Sequence, residues 1–359
     1  MTYKIVHVTE PFSGGVFDFL VNITTHTPEF KHIIIHGLRE DEKENYHLFS
    51  NNVEFVSWKS VQREIDLKKD FLALKELVNI LKNLDFDILH LHSSKAGFLG
   101  RLAARILKKQ NRVVYTPHGV SFLRKDISNF KRQFFVFLEK TANKMGGVVV
   151  ACSESEAEEF KKIGIKAKYV SNGIDCSYKN AGKNQINVKK ITIGTVGRIV
   201  YQKNPKLFNE IAKFFKDIEF VWIGDGDLRN ELTSSNIKVT GWMKKEFMEK
   251  ELKNFDIYLS TSLWEGLPLS VLEAMCFQKP LILSNCVGNI DLVSNEYNGF
   301  IYNSKDEAVS IIRDLIKDKE KLLKMGENSF YILKSNFSVK KMIEGYTEIY
   351  KKIMENINE

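Results

Sequence analysis

Two glutamates, Glu265 and Glu273, stand with seven residues between them in the stretch STSLWEGLPLSVLEAM. Paired carboxylates can share acid–base work across one bond, as in glycosidases, where they lie about 5–9 Å apart. The surrounding sequence argues against that here. The strand-like run DIYLS ends near Ser260, and Pro268 suits the first turn of a helix. Glu265 is therefore expected in a loop and Glu273 about a turn or more inside the helix. Gly266, Leu267, Pro268 and Leu269 open that helix, where backbone N–H groups without intrahelical partners favour an anion. A carboxylate beside an anion is repelled unless it accepts hydrogen bonds from hydroxyls. Two hydroxyl-bearing parts of one ligand is the better reading of the pair.

Other residues of chemical type fall at similar places. In GTVGRIVYQKNP, Arg198 and Lys203 follow a strand ending at Gly197 and precede a helix starting near Asn204-Pro205. A forked guanidinium beside a mobile ammonium suits a diphosphate, although alone this loop could equally hold two solvated cations. HVTEPFSGGVFDFL runs from a strand through Gly14-Gly15 into a helix, which allows close backbone approach to an anion or only a tight turn. Neither G-x-G-x-x-G nor the P-loop pattern is present. His92, Ser93, Ser94 and Lys95 lie between a strand and a helix as a second candidate anion site, and His118 ends the strand VVYTPH. On these residues alone, His118 reads as well as a packed or capping histidine. Of two D-x-D triplets, Asp85-Phe86-Asp87 precedes a strand, whereas Asp225-Gly226-Asp227 follows one and is the better metal candidate.

The elements that must position these groups alternate. KIVHV, HIIIHG, DILHLH, VVYTPH and GGVVVAC read as buried parallel strands, and ITIGTVG, EFVWIG, DIYLS and PLILSN repeat the pattern. Helical stretches such as 95–109, 128–144 and 204–216 fall between them. The pattern predicts an α/β protein of two doubly wound, Rossmann-like domains with parallel sheets facing across a cleft. The first domain spans 1–170, a polar Asn- and Lys-rich linker 171–190, the second domain 191–336 and a C-terminal helix 337–359. Met342, Tyr346, Ile349, Tyr350 and Ile353 recur at helical spacing, so that helix needs a surface, expected on the first domain.

Composition narrows the class. The 359 residues are 43% hydrophobic and 27% charged, and no run approaches the ~18 apolar residues of a membrane span. The N-terminus enters a strand directly, without a signal-peptide pattern. Cys152, Cys176, Cys276 and Cys286 lack metal-ligand spacing and are expected to be reduced thiols. The net charge is +8, yet residues 92–145 alone hold twelve basic residues against two acids. Such a bias favours an anionic partner. Arg124, Lys125, Lys131 and Arg132 interleave with Phe122, Phe130, Phe134, Phe135 and Phe137, a composition suited to an anionic bilayer surface.

EGLPLSVLE resembles the E-x7-E motif of retaining, two-domain glycosyltransferases of the GT-B fold, in particular glycosyltransferase family 4. Gly14-Gly15, TPHG at 116–119, SNGID at 171–175, GRIVYQKN at 197–204 and IGDGDLRNEL at 223–232 appear in that family's order. The ordered set is specific where its members are weak. The resemblance implies that Gly15 approaches the donor phosphates, and that Arg198 and Lys203 bind the diphosphate and stabilise the leaving nucleotide. It implies that Glu273 holds the ribose and Glu265 the transferred sugar, with Gly266, Leu267, Pro268 and Leu269 beside them. His118 would contact donor sugar and acceptor, and His92, Ser93, Ser94 and Lys95 the acceptor. Similarity to enzymes of bacterial surface-polysaccharide assembly implies a nucleotide-sugar donor, foremost a UDP-sugar, and a polyprenyl-diphosphate-linked saccharide acceptor. The expected reaction retains configuration on one face of the donor, Glu265 acting as a covalent nucleophile being the lesser alternative. The family's turn at Asp225 and Asp227 carries no metal, so neither metal nor cofactor is expected. The expected partners are the donor, the lipid-linked acceptor and an anionic membrane surface, at the inner face of the cytoplasmic membrane, without nucleic acid. An epimerase of the same fold would lack the basic segment, and a nucleic-acid-binding protein would carry a recognition motif absent here.

Overall fold

A computed structural model describes residues 2–37, 45–176 and 191–358; most of the expected linker, residues 177–190, lies outside the described residues. In chain order the first elements are β1 (Lys4–Thr9), α1 (Gly14–His26), β2 (Lys31–His36), β3 (Val53–Ser57), α2 (Leu67–Lys82), β4 (Ile88–His92), α3 (Ser94–Ile106), β5 (Val113–Thr116), α4 (Asn129–Asn143), β6 (Val148–Ala151), α5 (Glu154–Lys162) and β7 (Ala167–Tyr169). There follow β8 (Thr192–Val196), α6 (Pro205–Ala212), β9 (Glu219–Ile223), β10 (Ile237–Val239), α7 (Lys245–Lys253), β11 (Ile257–Ser260), α8 (Leu269–Cys276), β12 (Leu281–Ser284), β13 (Gly299–Tyr302), α9 (Lys305–Leu315), α10 (Lys319–Asn336) and α11 (Val339–Asn358).

The chain divides into two compact units, one of residues 1–123, 127–172 and 339–359, the other of 124–126 and 173–338. Unit 1 holds a seven-stranded sheet in the order β3-β2-β1-β4-β5-β6-β7, and unit 2 a six-stranded sheet in the order β10-β9-β8-β11-β12-β13. Neighbouring strands run parallel throughout both sheets. Each order reverses beside its first strand, between β1 and β4 and between β8 and β11, where doubly wound sheets bind ligands.

Side chains alternate across a strand, so each sheet needs two apolar covers. In unit 1 one face packs Val6, Val8, Leu89 and Leu91 against α2 and α3 through Ala73, Leu77, Leu99 and Ala103. The other face sets Ile5, Ile88 and Val114 against Phe19 and Ile23 of α1 and Met342, Tyr346, Ile349 and Tyr350 of α11. The alternating histidines of β1, β2 and β4 share this second face, because His7 pairs with His90 and His32 with Ile5. Unit 2 is cored by Ile193, Phe208, Trp222, Ile257, Ile282 and Ile312.

Two expectations are corrected. Cys176 and Cys276 are joined in a disulfide with their Cα atoms 5.8 Å apart, a separation within disulfide range, while Cys152 and Cys286 are buried free thiols. Pro268 is the extended N-cap residue of α8 (φ −72°, ψ 115°), so the helix begins one residue later, at Leu269.

Candidate functional site

In unit 2 the switch point is framed by the carboxyl ends of β8 and β11. Gly197 follows β8 at φ 151°, and a Cβ there would press on the Lys203 stem at 3.1 Å. Asn204 takes the left-handed conformation (φ 51°) and its side chain accepts from the Leu207 N–H, starting α6 with Pro205 in its first turn. The three-residue 3-10 turn before it holds Gln202 and Lys203 beside the loop after β11: the Leu263 N–H donates to the Gln202 carbonyl at 2.8 Å, and the Thr261 hydroxyl to the Lys203 carbonyl at 2.7 Å.

That clamp joins two residues which sequence spacing kept apart. Lys203 Nζ donates to Glu265 Oε1 at 2.6 Å, and Gln202 Nε2 approaches Glu265 Oε2 at 3.3 Å and the Trp264 carbonyl at 2.8 Å. The pair is mostly buried, with side-chain exposures of 20% for Lys203 and 9% for Glu265. Burial lowers the pKa of Lys203, but the Glu265 carboxylate, with Tyr258 and Cys286, outweighs it and holds the ammonium above its ordinary value. Burial, then Glu265, pushes the Cys286 thiol up to about 12. Arg198 is exposed, and its guanidinium makes no ion pair among the described residues. Glu273, at the fifth position of α8, is half-buried, while Gly266, Leu267 and Pro268 are buried and Leu269 half-buried. Asp225 is held by Arg229 at 2.6 Å and accepts from the Gly226 N–H at 2.9 Å, and Asp227 is exposed. Asp87 accepts from the Lys4 N–H at 2.8 Å.

In unit 1, Gly14 (φ 59°) and Gly15 are exposed at the first turn of α1, where a Cβ at Gly14 would meet nothing within 4 Å. The ends of β4 and β5 carry two non-glycine residues in the left-handed region, Ser93 (φ 71°) and His118 (φ 54°), conformations that persist only where surroundings impose them. The Ser93 hydroxyl is buried without a hydrogen-bond partner among the described residues, and Ser94 accepts from the Ser121 hydroxyl at 2.8 Å. Glu156 braces the His118 turn, accepting from the Gly119 N–H at 2.9 Å and the Cys152 N–H at 2.7 Å.

His92 does not face solvent. It is wholly buried, its Nδ1 3.0 Å from His118 Nε2 and its Nε2 3.0 Å from His7 Nδ1. Its imidazole therefore offers an acceptor nothing directly in this structure. Lys95 is also engaged, by Asp70 at 2.6 Å and by the Glu64 carbonyl. Sequence reasoning missed the buried histidines His7, His32 and His90; the signal was their period-two recurrence in KIVHV, KHIIIH and ILHLH. It also missed Gln202.

The basic segment is partly internal. Arg101 pairs with Glu139 at 3.0 Å, where the Tyr115 hydroxyl also donates at 2.9 Å, all three buried. Arg124 binds Asp126 through Nε (2.9 Å) and Nη2 (2.6 Å). Lys125 and Lys131 are exposed and Arg132 half-buried. Phe122 is buried and Phe135 packs against the core, whereas Phe130, Phe134 and Phe137 lie exposed along α4. Among the described residues no helix is long and apolar enough to cross a membrane.

Two doubly wound parallel sheets, one in each unit, are the architecture of the GT-B fold. The profile described as Glycosyltransferase Family 4 matches residues 13–178, and that of Glycosyl transferases group 1 matches 178–330. The chain belongs to glycosyltransferase family 4. It is 33% identical over 328 residues, 82% of either chain, to the Escherichia coli UDP-Gal:alpha-D-GlcNAc-diphosphoundecaprenol alpha-1,3-galactosyltransferase. It is 27% identical, over 80% of this chain and 83% of the other, to the Campylobacter jejuni N,N'-diacetylbacillosaminyl-diphospho-undecaprenol alpha-1,3-N-acetylgalactosaminyltransferase. Among solved structures, Anabaena HepE in complex with UDP and glucose superposes with a TM-score of 0.78 at 20% identity, covering 98% of this chain and all of that one. Sucrose-phosphate synthase from Thermosynechococcus elongatus gives a TM-score of 0.82 at 13% identity, covering 99% of this chain and 100% of that one, a likeness of fold alone.

Proposed function

We propose that this glycosyltransferase moves a hexose or N-acetylhexosamine from a UDP-sugar to an undecaprenyl-diphosphate-linked saccharide in bacterial surface-polysaccharide synthesis, with retention of configuration and without a metal. The observation that carries the reading is the buried Lys203–Glu265 pair beside the start of α8. A buried ammonium balanced by one carboxylate is ready to take a second anion. The donor diphosphate would draw on Lys203 and the exposed Arg198, and Glu265 would be released to accept from a sugar hydroxyl. Preorganised cations of this kind stabilise leaving-group charge as it develops. Glu273 would hold the ribose, Gly15 and the residues from Gly266 to Leu269 would border phosphate and sugar, and His118, Ser93 and Ser94 would face donor sugar and acceptor. The two relatives whose names specify diphospho-undecaprenol acceptors support the acceptor class, and one of them the UDP donor. The exposed phenylalanines of α4 with Lys125 and Lys131 support docking on an anionic membrane.

The test is transfer from a panel of UDP-sugars to a short-chain undecaprenyl-diphosphate saccharide analogue, with the anomeric configuration of the product read by NMR. An α-linked product from an α-donor, unchanged by EDTA, is expected. Glu265→Ala should chiefly lower turnover and Glu273→Ala chiefly weaken UDP binding in calorimetry. Loss of activity in EDTA with recovery in Mn²⁺ would overturn the metal-free reading and point to Asp225 and Asp227. An inverted product would overturn retention.

A further inference from the structure

We propose that His7, His32 and His92 are positioning residues that fix His118 in one neutral tautomer, with its proton on Nε2 and its lone pair on Nδ1. Four imidazoles are hydrogen-bonded in series across the sheet. His118 Nε2 lies 3.0 Å from His92 Nδ1, His92 Nε2 lies 3.0 Å from His7 Nδ1, and His7 Nε2 lies 3.1 Å from His32 Nδ1. The series ends at Thr27, where His32 Nε2 meets the hydroxyl oxygen at 2.9 Å and the carbonyl at 3.2 Å.

That end sets the direction of every bond. A carbonyl only accepts, and the Thr27 hydroxyl already donates its hydrogen to the Ile23 carbonyl at 2.6 Å. His32 Nε2 faces two acceptors and must carry a proton. A neutral His32 then has a bare Nδ1, which requires a proton on His7 Nε2, and the same step repeats through His92 to His118. At the far end His118 Nδ1 is the acceptor, and it meets the Cys152 sulfur at 3.5 Å. Burial, reinforced by Glu156, holds that thiol protonated, so it can donate. Burial likewise keeps the rings neutral, His32 lowered to about 4, His118 to about 3, and His7 and His92 well below the ordinary value.

The series is not a proton wire, because it terminates on the carbonyl of Thr27 at the C-terminal end of α1. Its product is polarity. The thiol is the weakest partner in the series, so a substrate hydroxyl could replace it and would find an acceptor rather than a donor. This last step rests on the glycosyltransferase reading; the tautomer assignment does not. A metal is the competing use of the cluster, since His7, His90 and His92 place ligand atoms within 4.8 Å of one another. All six of those nitrogens, however, already have partners, His90 through Tyr350 at 2.7 Å and Thr116 at 2.9 Å.

Long-range ¹H–¹⁵N spectra of the full chain labelled in histidine, at pH 7, read each tautomer directly. His7, His32, His92 and His118 should all appear protonated at Nε2 and bare at Nδ1. His32→Leu, which removes the anchor without touching His118, should raise the Nδ1-protonated fraction of His118 about tenfold, the size of one neutral hydrogen bond. Cys152→Ala, at the other end, should leave the tautomer of His118 unchanged. Wild-type His118 protonated on Nδ1 would overturn the proposal, as would a charged His118, one blind to His32→Leu, or one scrambled by Cys152→Ala. Should His32→Leu fail to fold, the wild-type and Cys152→Ala spectra still decide. Added Zn²⁺ should shift none of these signals, and a stoichiometric shift of His7, His90 and His92 would show a metal site instead. Absence of glycosyl transfer by the wild type would count against the proposed function and leave the spectra to judge the series.

Discussion

The two units share a strand order, unit 1 carrying one strand more, yet place different polar groups near their switch points. Unit 1 places neutral imidazoles behind its switch point, each satisfied by the next. Unit 2 places a full ion pair, Lys203–Glu265, between the segments that follow β8 and β11. A neutral array fixes geometry and direction without storing charge. An ion pair stores charge that an incoming anion can redirect. The same strand order therefore supports one unit built to orient and another built to neutralise, and pH should separate them.

Acid should produce the largest effect. His7, His32, His90 and His92 are wholly buried, and burial lowers the pKa of each in the folded chain, His32 to about 4. Their unfolded value is about 6.5, so at pH 5 the unfolded chain binds protons that the folded chain refuses. Their contribution is present above about pH 6.5 and is lost as pH falls towards 4. A group that stays neutral in the folded chain while charging in the unfolded one costs about 1.4 kcal/mol per pH unit, so the array should destabilise unit 1 as pH falls through that window. In unit 2, Asp256 is raised by burial and works in the opposite sense, favouring the folded form at low pH. Calorimetry from pH 7.5 to 5 should show one transition collapsing before the other, with loss of signals from unit 1. Two transitions of equal pH dependence would break the comparison.

The ion pair should give the next effect. Lys203→Met or Glu265→Gln leaves its partner buried and uncompensated, a loss of about 3 kcal/mol in the stability of unit 2. The double variant should recover part of it, because neither charge is then stranded. Denaturant unfolding of the four chains closes the cycle. Single variants as stable as the wild type would mean that water already shares the pair.

Much of this was legible beforehand. Strands such as KIVHV and DIYLS are short apolar runs between helical stretches, and runs of that kind have few alternatives. The edge strands β3, β7, β10 and β13 escaped because they are short and only partly buried. Individual site residues were found through loops at strand ends, but their pairing was not. Lys203 and Glu265 are 62 positions apart, and only the contact between two loops joins them. The histidine series was present as an alternation, yet reading those strands as apolar runs concealed it. The disulfide depends on a 100-residue separation in sequence, which spacing alone does not reveal.

The smallest effect concerns the exposed surface of the basic segment. Unit 1 exposes Phe130 (87%), Phe137 (62%) and Phe134 (40%) along α4. Of the four cations expected to meet a membrane, Arg124 already has the Asp126 carboxylate and Arg132 is half-buried, which leaves Lys125 and Lys131 open to lipid headgroups. Each such cation contributes about 1 kcal/mol near an anionic surface. Lys125→Gln/Lys131→Gln should then lower partitioning onto phosphatidylserine-containing vesicles about 30-fold, while leaving UDP affinity unaltered. Arg124→Gln should do less, because it removes a cation already neutralised. Replacing Phe130 and Phe137 by serine should weaken the part of binding that survives high salt, since apolar insertion is not screened. Vesicle sedimentation at low and high salt separates the two contributions. Equal sedimentation of all variants, or none by the wild type, would remove the membrane from the comparison and favour a soluble acceptor.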